Sequence, residues 1–315
     1  MIFPPDRIEK QISCVDQAWE LLNFKLPQFN SIFSIWHDWF CETVEDSNVQ
    51  MVVSDALIVS YARMALRNGT LSENPRSYHS EKHIDDLLYR LIAVSNMSES
   101  RVITDYGWSL LSLFMSGHDL RQSESNNESV LIGDNEQASF QEMARILDAV
   151  DKKNIVRNEH RELLKLMIHG STFGKGEDTE GNIYQGNLVK YLLKNVGYFE
   201  ESDKQLAYLA CDIDTANVAA DLTDYAQSSI NVYNEIQNIS QNKLSAQTFF
   251  GEMQEQYFFE LQSFNSRIGL LAFDFQKQEN SPKIQLISQK IKSLDKGLSN
   301  ETIVDYYLSQ IKLMS

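Results

Sequence analysis

The chain is poor in the residues that force a small or turn-rich fold. It has three cysteines, Cys14, Cys41 and Cys211, with no close spacing. An odd number of scattered thiols argues against a disulfide framework and a cysteine-type zinc site, and it suits a reducing compartment. Five prolines and thirteen glycines among 315 residues are few, which favours long helices over a turn-rich β fold. Basic charge is short too: 28 lysines and arginines stand against 44 aspartates and glutamates, a formal charge of −16. Such a surface repels phosphodiester backbones, so nucleic acid polymers and anionic membranes are poor partners. A small anion can still bind where a metal or a local cation neutralises it. No run of about 18 apolar residues occurs, so no membrane span is expected. The start, Met1 to Asp6, has no basic n-region leading into an apolar stretch, so no secretory signal is expected and the expected location is the cytoplasm.

What is present reads as helix. Hydrophobic content of 43% is enough for a buried core. Apolar residues recur at helical spacing over 8–24, 29–44, 54–66, 80–94, 105–116, 134–150, 158–169, 187–195, 204–235, 249–275 and 282–314. The expected fold class is all-α, in one domain spanning 1–315, with its weakest point for a boundary near 239–246. Residues 121–133 read as a polar loop, and 173–186, with four glycines, as a mobile one. The aromatic stripe Phe33, Trp36, Trp39 and Phe40 reads as core packing. The aromatic tail, with Phe249, Phe250, Tyr257, Phe258, Phe259 and Phe264, suits packing on the core, or a surface for a protein partner or a second copy.

Three short stretches carry the chemistry: Tyr78-His79-Ser80-Glu81-Lys82-His83, His118-Asp119 and Asp212-Ile213-Asp214. They hold three of the six histidines. Imidazole and carboxylate together can hold a divalent metal, and a metal with an open position can activate water. His79 and His83, four apart, would share one face of a helix. The His-Glu-x-x-His pattern of zincin proteases is absent. His118-Asp119 ends a helix that is apolar on most faces. Adjacent side chains diverge by about 100° within a helix, but at its end they can converge on one ion. Asp212 and Asp214 would lie about 200° apart, so only one can face a given point. The other is solvated or holds a supporting hydrogen bond. Glu136, in the first turn of its helix, either complements the helix dipole or holds a water or a second ion.

The order His, His-Asp, Asp in an all-helical chain resembles the HD superfamily of metal-dependent phosphohydrolases. Arg76-Ser77-Tyr78-His79-x3-His83-Ile84 is similar to a segment of a bacterial branch of that superfamily, and cyclic-nucleotide phosphodiesterases share the Tyr-His-x3-His phrase. Asn135-Glu136-x2-Ser139 and Asp212-Ile213-Asp214 resemble later phrases of the same branch. The resemblance covers a core of about 56–236. It leaves the N-terminal helices, 1–55, and a C-terminal helical extension, 240–315, as additions to a phosphodiesterase-like bundle. It implies His83, His118, Asp119 and Asp214 as ligands of a divalent ion (Mn, Mg, Ni, Fe or Zn), with Asp212 as the alternate to Asp214. It implies catalytic roles for His79 as proton donor, Asp119 in orienting water, and Glu136 in holding the nucleophilic water or a second ion. Arg76, Tyr78, Lys82, Arg121 and His169 are the local candidates for holding a substrate phosphate or, for His169, a second metal. The chain departs from the branch at Gly117, where an aromatic residue is usual, and in lacking a histidine after Thr172. The activity expected is hydrolysis of a small phosphoester or phosphoanhydride, probably a nucleotide in that family's manner. The alternatives are a di-iron oxygenase on the same scaffold and a non-catalytic helical binding protein with a vestigial site.

Overall fold

The computed structural model describes residues 2–122, 133–177, 183–239 and 243–315. It is all-α apart from one two-stranded hairpin. The N-terminal half runs α1 (Arg7–Gln11), α2 (Val15–Lys25), α3 (Phe29–Thr43), α4 (Ser47–Arg67), α5 (Glu81–Ser95), α6 (Asp105–Gly117), α7 (Asp134–Val150) and α8 (Asn158–Gly170). The hairpin β1 (Phe173–Glu177) and β2 (Ile183–Asn187) follows, then α9 (Val189–Asn195), α10 (Glu201–Asp214) and α11 (Leu222–Ile239). The rest comprises α12 (Gln254–Gln256), α13 (Arg267–Gly269), α14 (Phe275–Lys292) and α15 (Asn300–Met314), with π-helical runs at Thr248–Met253, Tyr257–Leu261 and Leu270–Asp274.

The centre is α4. Its side chains from Val52 to Ala65 are buried almost without a break, and it packs against α2, α6 and α7. Among the described residues it is the one helix long and apolar enough to cross a bilayer, and 78% of its apolar window is buried inside the protein. Two arginines on this helix are accommodated by acids from elsewhere. Arg63 reaches Glu142 at 3.2 Å, and Arg67 reaches Glu142 at 3.0 Å and Asp6 at 2.9 Å. Arg145 and Arg121 each meet Glu9 at 2.7 Å. This network clamps α1 onto α4 and α7. Arg67 also donates to the carbonyl of Leu120 at 2.5 Å, one residue beyond Asp119.

Apolar packing falls into two clusters. One gathers residues between Ile12 and Ile213, the other residues between Ala216 and Ile311. The chain crosses between them at Asp214-Thr215. The tail aromatics largely serve the second cluster: Phe250 and Phe258 are fully buried, while Phe259 is 41% exposed.

Several sequence expectations need correction. Phe173–Glu177 and Ile183–Asn187 are paired strands where a mobile loop was expected over 173–186, with Gly174 opposite Gly186, and 178–182 lie outside the described residues. Gly186 has φ 83°, and a Cβ there would run into the Leu261 carbonyl, so glycine serves a positive φ and a close approach together. The span 204–235 breaks after Asp214, passes a 3-10 turn at Ala216–Ala219, and restarts where the Asp221 carboxylate accepts from the Thr223 and Asp224 amides. The span 8–24 divides between α1 and α2, and α4 starts earlier than expected, at Ser47. Most of the expected polar loop 121–133, and residues 240–242 of the expected weak point, lie outside the described residues. All three cysteines are free.

Glu142 has no exposed side-chain surface and faces Arg63 and Arg67. Replacing it by alanine strands those guanidinium groups and is expected to cost about 3–5 kcal/mol of stability. Urea unfolding of wild type and Glu142→Ala measures this, and a loss below about 1 kcal/mol would show that the network is not the clamp described.

Candidate metal centre

Helix ends bring the polar groups together at the seam between the two apolar clusters. His83 sits in the first turn of α5, His118 is the C-cap of α6 with Asp119 following, and Asp214 is the last residue of α10. Two helix C-termini, each a partial negative charge, therefore end at one point. His79 lies just outside α5, because Ser80 is its extended N-cap. His79 and His83 thus do not share a helical face as their spacing suggested. The N-cap bend nevertheless brings their rings to 6.3 Å.

One ligand atom each from His83, His118 and Asp214 lies within 4.8 Å of the others. His83 Nε2 is 3.2 Å and His118 Nε2 3.4 Å from Asp214 Oδ1. Asp119 Oδ2 stands 3.0 Å from His118 Nε2 and 3.8 Å from His83 Nε2. Ligand atoms about 2.1 Å from a common ion are separated by roughly 3.0 Å at right angles and 3.4 Å at the tetrahedral angle. His83, His118 and Asp214 therefore have the spacing of a coordination shell, and Asp119 stands beside them through its contact with His118.

The tautomer agrees. His118 Nδ1 faces the Phe114 carbonyl at 3.2 Å, so that nitrogen carries the proton and Nε2 is left free to bind. Nε2 is buried and makes no well-formed hydrogen bond. Buried polar atoms are normally satisfied, so an unsatisfied one aimed at two carboxylates fits a missing cation. Burial disfavours a charged His118, but Asp119 and Asp214 outweigh it and raise its pKa well above the ordinary value. Burial likewise opposes the charged forms of Asp119 and Asp214. The imidazoles, His118 foremost, overcome it and hold both below the usual carboxylate range. A proton and a metal ion thus compete for this site.

His79 faces the same site from the other side. Its Nδ1 donates to Glu235 Oε1 at 2.6 Å, and its Nε2 lies 3.9 Å from Asp119 Oδ2. Glu235, on α11, also accepts from the backbone amides of Tyr78 and His79 at 2.8 and 3.0 Å and from Arg76 at 3.0 Å. These donors outweigh burial and bring the Glu235 pKa down to about 2. The carboxylate stays ionised and fixes the ring with Nε2 toward the centre. Sequence reasoning missed Glu235. Its only signal is an acid at a buried position of α11, and nothing in its spacing ties it to a histidine 156 residues away.

A cavity of about 510 Å³ opens over these groups. Glu136 and Tyr78 line it, as expected of site residues, and burial raises the Glu136 pKa. Tyr78 lies 4.8 Å from the His83 ring, centroid to centroid. Other expectations are overturned. Asp212 turns away and accepts from Ser266 N, Ser266 Oγ and Asn265 N at 2.7, 2.6 and 2.9 Å. It holds the chain entering α13, as the angle between the two aspartates requires. Arg76 is drawn to Glu235 and Arg121 to Glu9, so neither lines the cavity. Lys82 is exposed and lines a neighbouring groove behind Tyr78. His169 packs against Phe140, and burial lowers its pKa to about 4. It is absent from the cavity wall, so it is not placed to bind a second metal there.

In comparison with known proteins, no family model matches the chain and no curated protein matches its sequence.

Calorimetry with Mn²⁺ or Ni²⁺ should show binding that His118→Ala and Asp214→Ala abolish. Asp212→Ala should keep it while losing about 1–3 kcal/mol of stability. Because the raised His118 pKa keeps that ring protonated through neutral pH, metal binding must expel a proton. Affinity is expected to rise by up to about tenfold per pH unit until pH exceeds the His118 pKa. A pH-independent affinity between about pH 6 and 8 would contradict the assignment of His118 as ligand.

Proposed function

We propose that this protein is a metal-dependent phosphohydrolase of the HD type. What chiefly supports the reading is one geometric fact: ligand atoms of His83, His118 and Asp214 gather about a single point, Asp119 stands beside His118, and the Glu235-held His79 faces the same cavity. The sequence resemblance implies the same ligands. An ion bound there would lower the pKa of a coordinated water and polarise a phosphoryl oxygen.

The chain's own groups supply the rest. Asp119 is placed to bind and to orient the attacking water. Glu136, on the cavity wall, can hold that water from a second side. His79 Nε2 is the proton donor for the departing oxygen. Burial opposes the protonated ring, but Asp119 and Glu235 together raise its pKa, which favours the charged form of the acid. The Glu235–His79 contact resembles in logic the carboxylate that orients a catalytic imidazole in hydrolytic triads.

A di-iron oxygenase draws less support, since His169 is away from the site and a second ion would rely on Glu136 and His79 alone. A vestigial binding protein draws less as well, since His83, His118 and Asp214 converge and Asp119 stands 3.0 Å from His118.

Hydrolysis of bis(p-nitrophenyl) phosphate with Mn²⁺ is the direct test. Asp119→Ala should reduce kcat/KM by about a thousandfold or more, and activity that survives it sinks the mechanism. Glu235→Gln should lower kcat by roughly ten- to hundredfold with metal affinity unchanged. It should also shift the alkaline limb of the pH profile to lower pH, because the general acid loses the carboxylate that helps keep it protonated.

A further inference from the structure

We infer that the substrate of this site carries a single negative charge on a largely apolar body. The inference rests on the reading of the site as a phosphohydrolase and narrows its substrate class.

No lysine or arginine lines the cavity among the described residues. The segments 123–132, 178–182 and 240–242 contain neither residue, so they have no cationic side chain to contribute. Arg76 and Arg121 are engaged with Glu235 and Glu9. Lys82 faces the neighbouring groove, which Asp86, Asp224 and Arg90 also line, and Arg90 there donates to the Ile213 and Asp214 carbonyls. Lys175, on the hairpin, is exposed and outside the cavity wall.

The charge around the site is adverse to a polyanion. Asp119, Asp214 and Glu136 all face the cavity, so one divalent ion and a protonated His79 together do no more than balance them. Sites that transfer phosphoryl groups from nucleoside triphosphates add lysines or arginines to the metal for this reason. Val232, Ile236, Phe249, Met253, Tyr257 and Phe173 also line the cavity. Such a surface suits the uncharged body of a ligand.

A phosphodiester with apolar or aromatic substituents meets these conditions. Water adds across one P–O bond: the water oxygen bonds to phosphorus, the bond to the leaving oxygen breaks, and that oxygen takes the proton from His79. The proton lost by the water restores His79 or passes to solvent. The products are a phosphomonoester and an alcohol, with no change in oxidation state. The monoester can carry a second charge, which the same acidic wall repels, so the electrostatics that select the substrate also favour product release.

The test compares kcat/KM of the full-length protein, saturated with Mn²⁺, on bis(p-nitrophenyl) phosphate, p-nitrophenyl phosphate and ATP. The diester should be preferred by about a hundredfold or more, and Met253→Lys, at a position 41% exposed on the rim, should narrow the gap by roughly tenfold. Lys82→Ala and Lys175→Ala should leave the preference intact. Equal or better turnover of the monoester or ATP overturns the single-charge inference and leaves the phosphohydrolase reading standing. So does an unchanged ratio in Met253→Lys, or a preference altered by loss of either lysine. If the protein binds Mn²⁺ in calorimetry and hydrolyses none of the three, the phosphohydrolase reading itself fails and this inference with it.

Discussion

Burying Asp119 and Asp214 beside His83 and His118 is the constraint on which the rest of the structure depends. Isolated carboxylates taken from water cost several kcal/mol each. Here each carboxylate lies within 4 Å of both imidazoles, so the charges compensate each other and a cation or proton is required to complete the balance. That requirement explains the local architecture. Each group is carried on a helix end, where the backbone can turn, and the C-terminal ends of α6 and α10 add their own negative potential. The segment after Asp119 is held in turn by Arg67 on the Leu120 carbonyl and by Ser139 Oγ, which accepts from the Arg121 amide at 2.9 Å. The N-terminal ionic clamp thus lies one covalent step from Asp119 of the candidate site.

The all-α class and the three polar stretches were legible in the sequence because both depend on local pattern. Helical periodicity follows from the chain itself, and an ionisable pair at the end of the apolar run Trp108–Met115 stands out against its surroundings. The choice of Asp214 over Asp212 was legible only in part. Periodicity said that one must turn away, and the partner that takes Asp212, the Asn265-Ser266 backbone, is 53 and 54 residues distant. The arginines misled for the same reason. Arg76 and Arg121 are near the motifs in sequence, but their acids come from α11 and α1. The glycines of 173–187 read as looseness, where in fact two of them face each other across a hairpin. The π-helical runs were not legible at all, since the extra residue per turn leaves no separate mark on composition.

Those π-helical runs bear on the site. Phe249, Met253, Tyr257 and Leu261 belong to Thr248–Met253 and Tyr257–Leu261 and line the cavity. They lie four residues apart, a spacing near one helical turn, so one face of the segment forms the apolar wall. The ligands come from the first apolar cluster and this wall from the second. The apolar wall and the His–Asp cluster are therefore separable parts of the chain.

The Glu235–His79 contact is the exception to that separation. Glu235 belongs to α11, which packs in the second cluster, while His79 precedes α5 in the first. One carboxylate accepts from Arg76, from two backbone amides and from the imidazole, so it fixes the ring in position as well as in tautomer. A small displacement of the second cluster would stretch this contact before it reached His83, His118 or Asp119, whose helices pack within the first. The His79–Glu235 contact is therefore more sensitive than the His83–His118 pairing to the fit between the two halves. This sensitivity follows from the topology alone.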